Sequence, residues 1–100
     1  MSRARLTPDA RAQALSELAP TGWTEAADPE AIVKTFEFKD FSQAFGWMTR
    51  VALAAEALDH HPEWTNVWRK VSVRLTTHDA GGLTDLDLAL AWKMDELAKG

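Results

Sequence analysis

From Phe41 to about His60 the sequence writes one long helix with almost no polar face. Between Ala44 and Leu58 the polar side chains are Thr49, Arg50 and Glu56 alone. Phe45, Trp47, Met48, Val51, Leu53 and five alanines are spread around the rest of the circumference. A helix that is apolar on all sides has to be buried on all sides. A two-layer domain of 100 residues can cover only one of them. Either a neighbouring helix hides the second face or another copy of the chain does. The pattern favours self-association, so a homo-oligomer is expected.

The remaining elements follow from local signals. Thr7-Pro8-Asp9 opens a short helix running to about Ala19: Thr7 caps it, Pro8 fits the first turn and Asp9 suits its positive end. Pro20 and Gly22 stop it. Trp23 to Ala26 and Ile32 to Phe38 read as strands separated by an Asp28-Pro29 turn, with Phe36 and Phe38 inward and Glu37 outward. Asp40 with Gln43 resembles a capping box for the long helix, and Pro62 ends it. A short strand is expected around Asn66 to Trp68. Lys70 to Thr77 is the strongest strand, because Val71, Val73 and Leu75 alternate strictly with Lys70, Ser72, Arg74 and Thr76. After Gly81-Gly82, Thr84 and Asp87 form a capping-box pattern, with Leu83 and Leu88 at hydrophobic-staple positions. The last helix runs to about Ala98. The order α-β-β-α-β-β-α, with strands in adjacent pairs, predicts one α+β domain over residues 1–100, an antiparallel sheet with helices covering one face.

Composition narrows the function. Eleven basic against fifteen acidic residues give a net charge of −4, which disfavours direct nucleic-acid binding. No apolar run approaches the ~20 residues of a membrane span. The first fifteen residues carry no continuous apolar stretch, and Asp9 and Glu17 argue against a transit peptide, so a cytoplasmic location is expected. With no cysteine, disulfides, thiolate nucleophiles and sulfur-based zinc sites are excluded. Ser2, Ser16, Ser42 and Ser72 show no nucleophile-elbow context.

Three histidines remain as groups that titrate near neutrality. His60 and His61 stand at the end of the long helix, and His78 sits just past the strongest strand on its polar face. His78 reads equally as a solvated strand-end residue or as a working imidazole. Glu56 precedes His60 by four residues, a spacing that pairs them on one helix face. Such a pair is either a common helix-end stabiliser or a means of holding a charged proton donor. Asp87 is accounted for locally as a helix cap. A three-histidine metal site is disfavoured, because ligands on a helix stand three or four apart and adjacent rings diverge.

The stretch from Glu56 to Asp87 resembles the signature of the pterin-4a-carbinolamine dehydratases. Glu56 is followed after three residues by His60-His61-Pro62, then Trp68, His78 and Asp87, with five, nine and eight residues intervening. Gly22-Trp23, Phe38-Lys39-Asp40-Phe41, Ala44-Phe45-Gly46, Met48 to Leu53 and Pro62-Glu63-Trp64 also look like family segments. Trp68 stands where the family commonly has tyrosine. The resemblance implies a four-stranded antiparallel sheet with three helices on one side, a homotetramer, and no metal or organic cofactor. It implies dehydration of 4a-hydroxytetrahydrobiopterin, the carbinolamine left by aromatic amino acid hydroxylases, to quinonoid dihydropterin.

Carried over position by position, the resemblance puts His60, His61 and His78 around the pterin. His60, backed by Glu56, and His78 are expected to act as acid and base from opposite sides of the ring, while His61 holds it. Asp87 is expected to orient His78 while capping its helix. Asp59, Thr76, Thr77 and Asp79 match substrate-contacting segments, and Trp23 is expected to supply an apolar wall. The alternative is a non-catalytic interaction module, since some relatives are dimerisation cofactors of a homeodomain transcription factor and others resemble assembly factors for a carbon-fixing enzyme. A module that only binds has no use for all three histidines.

Overall fold

The computed structural model describes residues 1–99. The Thr7 side chain accepts the Ala10 N–H and opens helix α1 (Pro8–Leu18), which a single turn (Ala19–Thr21) and Gly22, in the left-handed region at φ 105°, bring to a close. Strands β1 (Thr24–Ala26) and β2 (Ala31–Glu37) follow. Asp40 then caps helix α2 (Phe41–Leu58) through the Gln43 N–H. Strands β3 (Glu63–Val67) and β4 (Lys70–Leu75), a 3-10 turn (His78–Ala80) and helix α3 (Asp85–Ala98) complete the chain. The order is the expected α-β-β-α-β-β-α, and the class is α+β.

The four strands form one antiparallel sheet in the order β1-β2-β4-β3. On β2 and β4, Ile32 lies opposite Leu75 and Phe36 opposite Val71. These four and Val73 are buried beneath the helices, while Thr35 and Ser72 face outward and share a 3.2 Å hydrogen bond. Trp47, at the centre of α2, packs against Phe36 and Phe38 with centroids 4.4 and 5.1 Å away. Its Nε1–H donates to the Met94 carbonyl at 3.1 Å, so the buried indole is satisfied and α2 is tied to α3.

The main differences from the sequence reading lie in β3, β4 and α2. β3 begins at Glu63, directly after Pro62, and stops at Val67, because Trp68 turns into the left-handed region (φ 53°). The Asn66 amide holds that turn by donating to the Trp68 and Lys70 carbonyls. β4 stops at Leu75, and beyond it only an isolated bridge pairs Thr77 with Gly82. α2 stops at Leu58, short of the histidines.

The inner face of α2, Ala44, Trp47, Val51 and Ala55, is buried. Its other side is not: Phe41, Phe45 and Leu53 are 49%, 55% and 70% exposed. Among the described residues no neighbouring helix hides these three. Among the described residues no helix is long and apolar enough to cross a membrane.

Candidate active site

The site is built where α2 ends. Asp59 adopts the left-handed conformation (φ 52°), which a short polar side chain tolerates. Its N–H bonds the Ala55 and Glu56 carbonyls and the His60 N–H bonds Ala55, the double closure of a Schellman motif. That reversal separates the two adjacent histidines. His60 goes inward and is buried, whereas His61 stays exposed.

Inside, His60 Nε2 lies 2.6 Å from Oδ1 of Asp87, which is fully buried. Asp87 Oδ2 accepts the Thr84 N–H at 2.9 Å and the Thr77 hydroxyl at 2.8 Å. Thr84 and Asp87 complete the reciprocal capping box of α3. A carboxylate fixed in this way accepts from Nε2–H. The His60 tautomer is thereby set, with the lone pair on Nδ1. Outside, His61 Nε2 bonds Glu56 Oε1 at 2.8 Å.

His78 arrives from β4. The bridge between Thr77 and Gly82 closes a tight loop, and His78 opens the 3-10 turn inside it, exposed. One open cavity of about 270 Å³ brings the pieces together: Asp59, His60 and His61 from the end of α2, and Thr76, Thr77, His78 and Asp79 from the end of β4, line it with Arg3 and Glu63.

Three expectations are corrected. Glu56 backs His61, not His60, because the helix ends before His60 and the four-residue spacing no longer applies. Asp87 orients His60 and not His78, since the inward turn at Asp59 delivers His60 to the first turn of α3. Trp23 forms no wall of the site: it is buried in the core and donates to Asp95 on α3, at 3.2 and 3.1 Å to the two carboxylate oxygens.

Arg3 and Glu63 escaped the sequence reading. Glu63 follows the His-His-Pro run directly and could have been found as the first polar residue of the next strand. Arg3 had no local signal; its guanidinium donates to the Asp59 carbonyl and carboxylate across 56 positions of chain. Among the described residues no group of three or more His, Cys, Asp or Glu side chains converges as metal ligands would.

Fold and site together define a small α+β protein with a three-histidine pocket, one histidine locked to a buried carboxylate. A family model for pterin 4 alpha carbinolamine dehydratase matches residues 4–97, and the chain belongs to that family. It is 56% identical over 95 residues to a protein of Jannaschia sp. (strain CCS1) named "Putative pterin-4-alpha-carbinolamine dehydratase", covering 95% of this chain and 97% of that one. A Bradyrhizobium sp. (strain ORS 278) protein with the same name is 60% identical over 94 residues, covering 94% and 92%. The solved structure of a transcriptional coactivator/pterin dehydratase from Brucella melitensis superposes with a TM-score of 0.88 at 49% identity, covering 94% of this chain and 98% of that one. A pterin dehydratase-like RuBisCO assembly factor of the alpha-carboxysome shares the fold alone, at a TM-score of 0.68, 24% identity, and 77% and 89% coverage.

Proposed function

We propose that this chain dehydrates 4a-hydroxytetrahydrobiopterin to quinonoid dihydropterin and water, returning the pterin of aromatic amino acid hydroxylases to use. The observation that carries this reading is the convergence of His60, His61 and His78 on one cavity, with His60 held by Asp87. The reaction needs two proton transfers near neutral pH. The C4a hydroxyl is protonated, the C4a–O bond breaks, water leaves with the C–O electron pair, and N5 loses its proton. Imidazoles suit both transfers. His60 serves one face of the ring through Nδ1, and His78 serves the other. His61, steadied by Glu56, holds the pterin, and Asp59, Thr76, Thr77 and Asp79 contact it chiefly through main-chain groups. No metal or organic cofactor takes part.

The test is direct: purified protein is added to freshly generated 4a-carbinolamine and the absorbance change of dehydration is followed. Acceleration over the spontaneous reaction supports the reading, and its absence refutes it.

We also propose that copies of the chain bury the exposed side of α2 against each other in a homotetramer, which the exposed Phe41, Phe45 and Leu53 support. The same face favours a second reading, a module that binds a partner's helix. The Brucella protein's description as a coactivator is in keeping with it. The two roles are compatible, and the dehydration assay decides whether catalysis is present.

A further inference from the structure

We infer that Glu30, outside the cavity and immediately before β2, is a positioning residue that holds His78 in place by anchoring both ends of its loop. On the entering side, the Thr76 hydroxyl donates to the Glu30 carbonyl at 2.8 Å. On the leaving side, the Leu83 N–H donates to Glu30 Oε2, also at 2.8 Å. Between these anchors the Thr77–Gly82 bridge closes the loop that carries His78. Glu30 does not line the histidine cavity, so it acts through the loop alone.

The carboxylate is itself held. Arg5 donates to it through Nη2 at 3.0 Å and Nε at 3.4 Å, and Arg11 pairs with Oε1. The side chain is only 10% exposed. Gly82 is what lets the loop come so close: a Cβ there would stand 2.3 Å from Glu30 Oε2 and 2.7 Å from Arg5 Nε. The arginines and the Leu83 amide hold the Glu30 carboxyl down to about 2, and partial burial opposes them. It is therefore a charged anchor throughout the neutral range. His60 is held directly by Asp87 on α3 and lies outside the loop, so loosening Glu30 is expected to move His78 more than His60.

The role in turnover rests on the dehydratase reading, so the test has one arm that needs catalysis and one that does not. Glu30→Ala and Glu30→Gln are compared with the parent chain, well below their melting temperatures. The Ala variant leaves Leu83 N–H without an acceptor; the Gln variant retains one. Displacing a reacting group by about an ångström costs on the order of a hundredfold. The expected result is kcat/KM about ten- to a hundredfold lower in Glu30→Ala and largely restored in Glu30→Gln. In the second arm, ring NMR signals of His78 shift or broaden in Glu30→Ala while those of His60 stay. If Glu30→Ala does not fold, Glu30→Asp takes its place, keeping the charge but drawing back the acceptor. Unchanged His78 signals in the folded variants overturn the inference, whatever the activity shows. Loss of melting temperature with normal kcat/KM and normal His78 signals gives Glu30 a stabilising role only and also overturns it. A parent chain without dehydratase activity refutes the proposed function, and the NMR arm then decides the positioning role alone.

Discussion

His60 Nε2 stands 2.6 Å from Asp87 Oδ1, with both side chains buried, and this contact joins the end of α2 to the first turn of α3. Asp87→Asn keeps the shape and can still cap the helix, but its amide cannot act as a carboxylate toward the imidazole. Turnover is expected to fall by about 10²-fold or more, the lower end of what a general acid–base group contributes, with the fold retained. Asp87→Ala strands the Thr84 N–H and His60 Nε2, while the Thr77 hydroxyl keeps the Thr84 hydroxyl as a partner. At about 1–3 kcal/mol for each buried unsatisfied group, it is expected to melt far below the parent. Steady-state kinetics alongside denaturant unfolding separates the two effects.

In the proposed mechanism the histidines divide the labour. If His60 and His78 serve opposite faces of the pterin, each change to Ala lowers kcat by about 10²–10⁴-fold at most, leaving the other route partly open. The double variant falls close to the spontaneous rate. His61→Ala raises KM more than it lowers kcat, because it removes binding common to ground and transition states. Full kcat in the folded double variant would refute the assignment.

Acid should loosen the fold through Glu30. Its carboxyl titrates near 2 in the folded chain against an ordinary 4.5, so the unfolded chain takes up the proton first as the pH falls. The stabilisation is complete above about 4.5 and is lost progressively as pH falls toward 2. Glu30→Gln should flatten this acid limb. At neutral pH it should cost about 1.5–3 kcal/mol, the scale of hydrogen bonds to a charged group. Urea midpoints across that range, parent against variant, are the measurement.

Leu53, at 70% exposed, makes little use of the chain's own core. A charge there, Leu53→Asp, should leave the protomer folded and drive it apart from its copies. Light scattering should then give a mass near 11.1 kDa for the variant and a multiple of it for the parent. A parent already at the single-chain mass removes the proposed tetramer.

Prolonged chelation should leave dehydration untouched, because His60 and His61 diverge toward Asp87 and Glu56. Activity lost with the chelated metal and restored by adding it back would reverse this.

Most of the fold was legible because its signals are local. The caps at Thr7, Asp40 and Thr84 and the alternation through Val71, Val73 and Leu75 each need only a few neighbouring residues. The histidine cluster was legible through family resemblance, but the partners of its histidines were not. Pairing Glu56 with His60 assumed that the helix continues to His60, and one left-handed residue, Asp59, cancels that spacing. Trp23 reads as a wall of the site because its acceptor, Asp95, is distant in sequence and leaves no local sign. Arg3 reaches the cavity by a path that no periodicity describes.

Asp87 performs two tasks with one side chain, closing the start of α3 and holding His60. Truncating that side chain unhooks His60 and unravels a helix end at once, so folding itself guards the placement of His60. His78 has no such protection, being exposed on a short turn between the two ends of its loop. If the proposed chemistry were given up for partner binding, the fold would still require Asp87 for the helix it caps, while nothing in the packing would require His78.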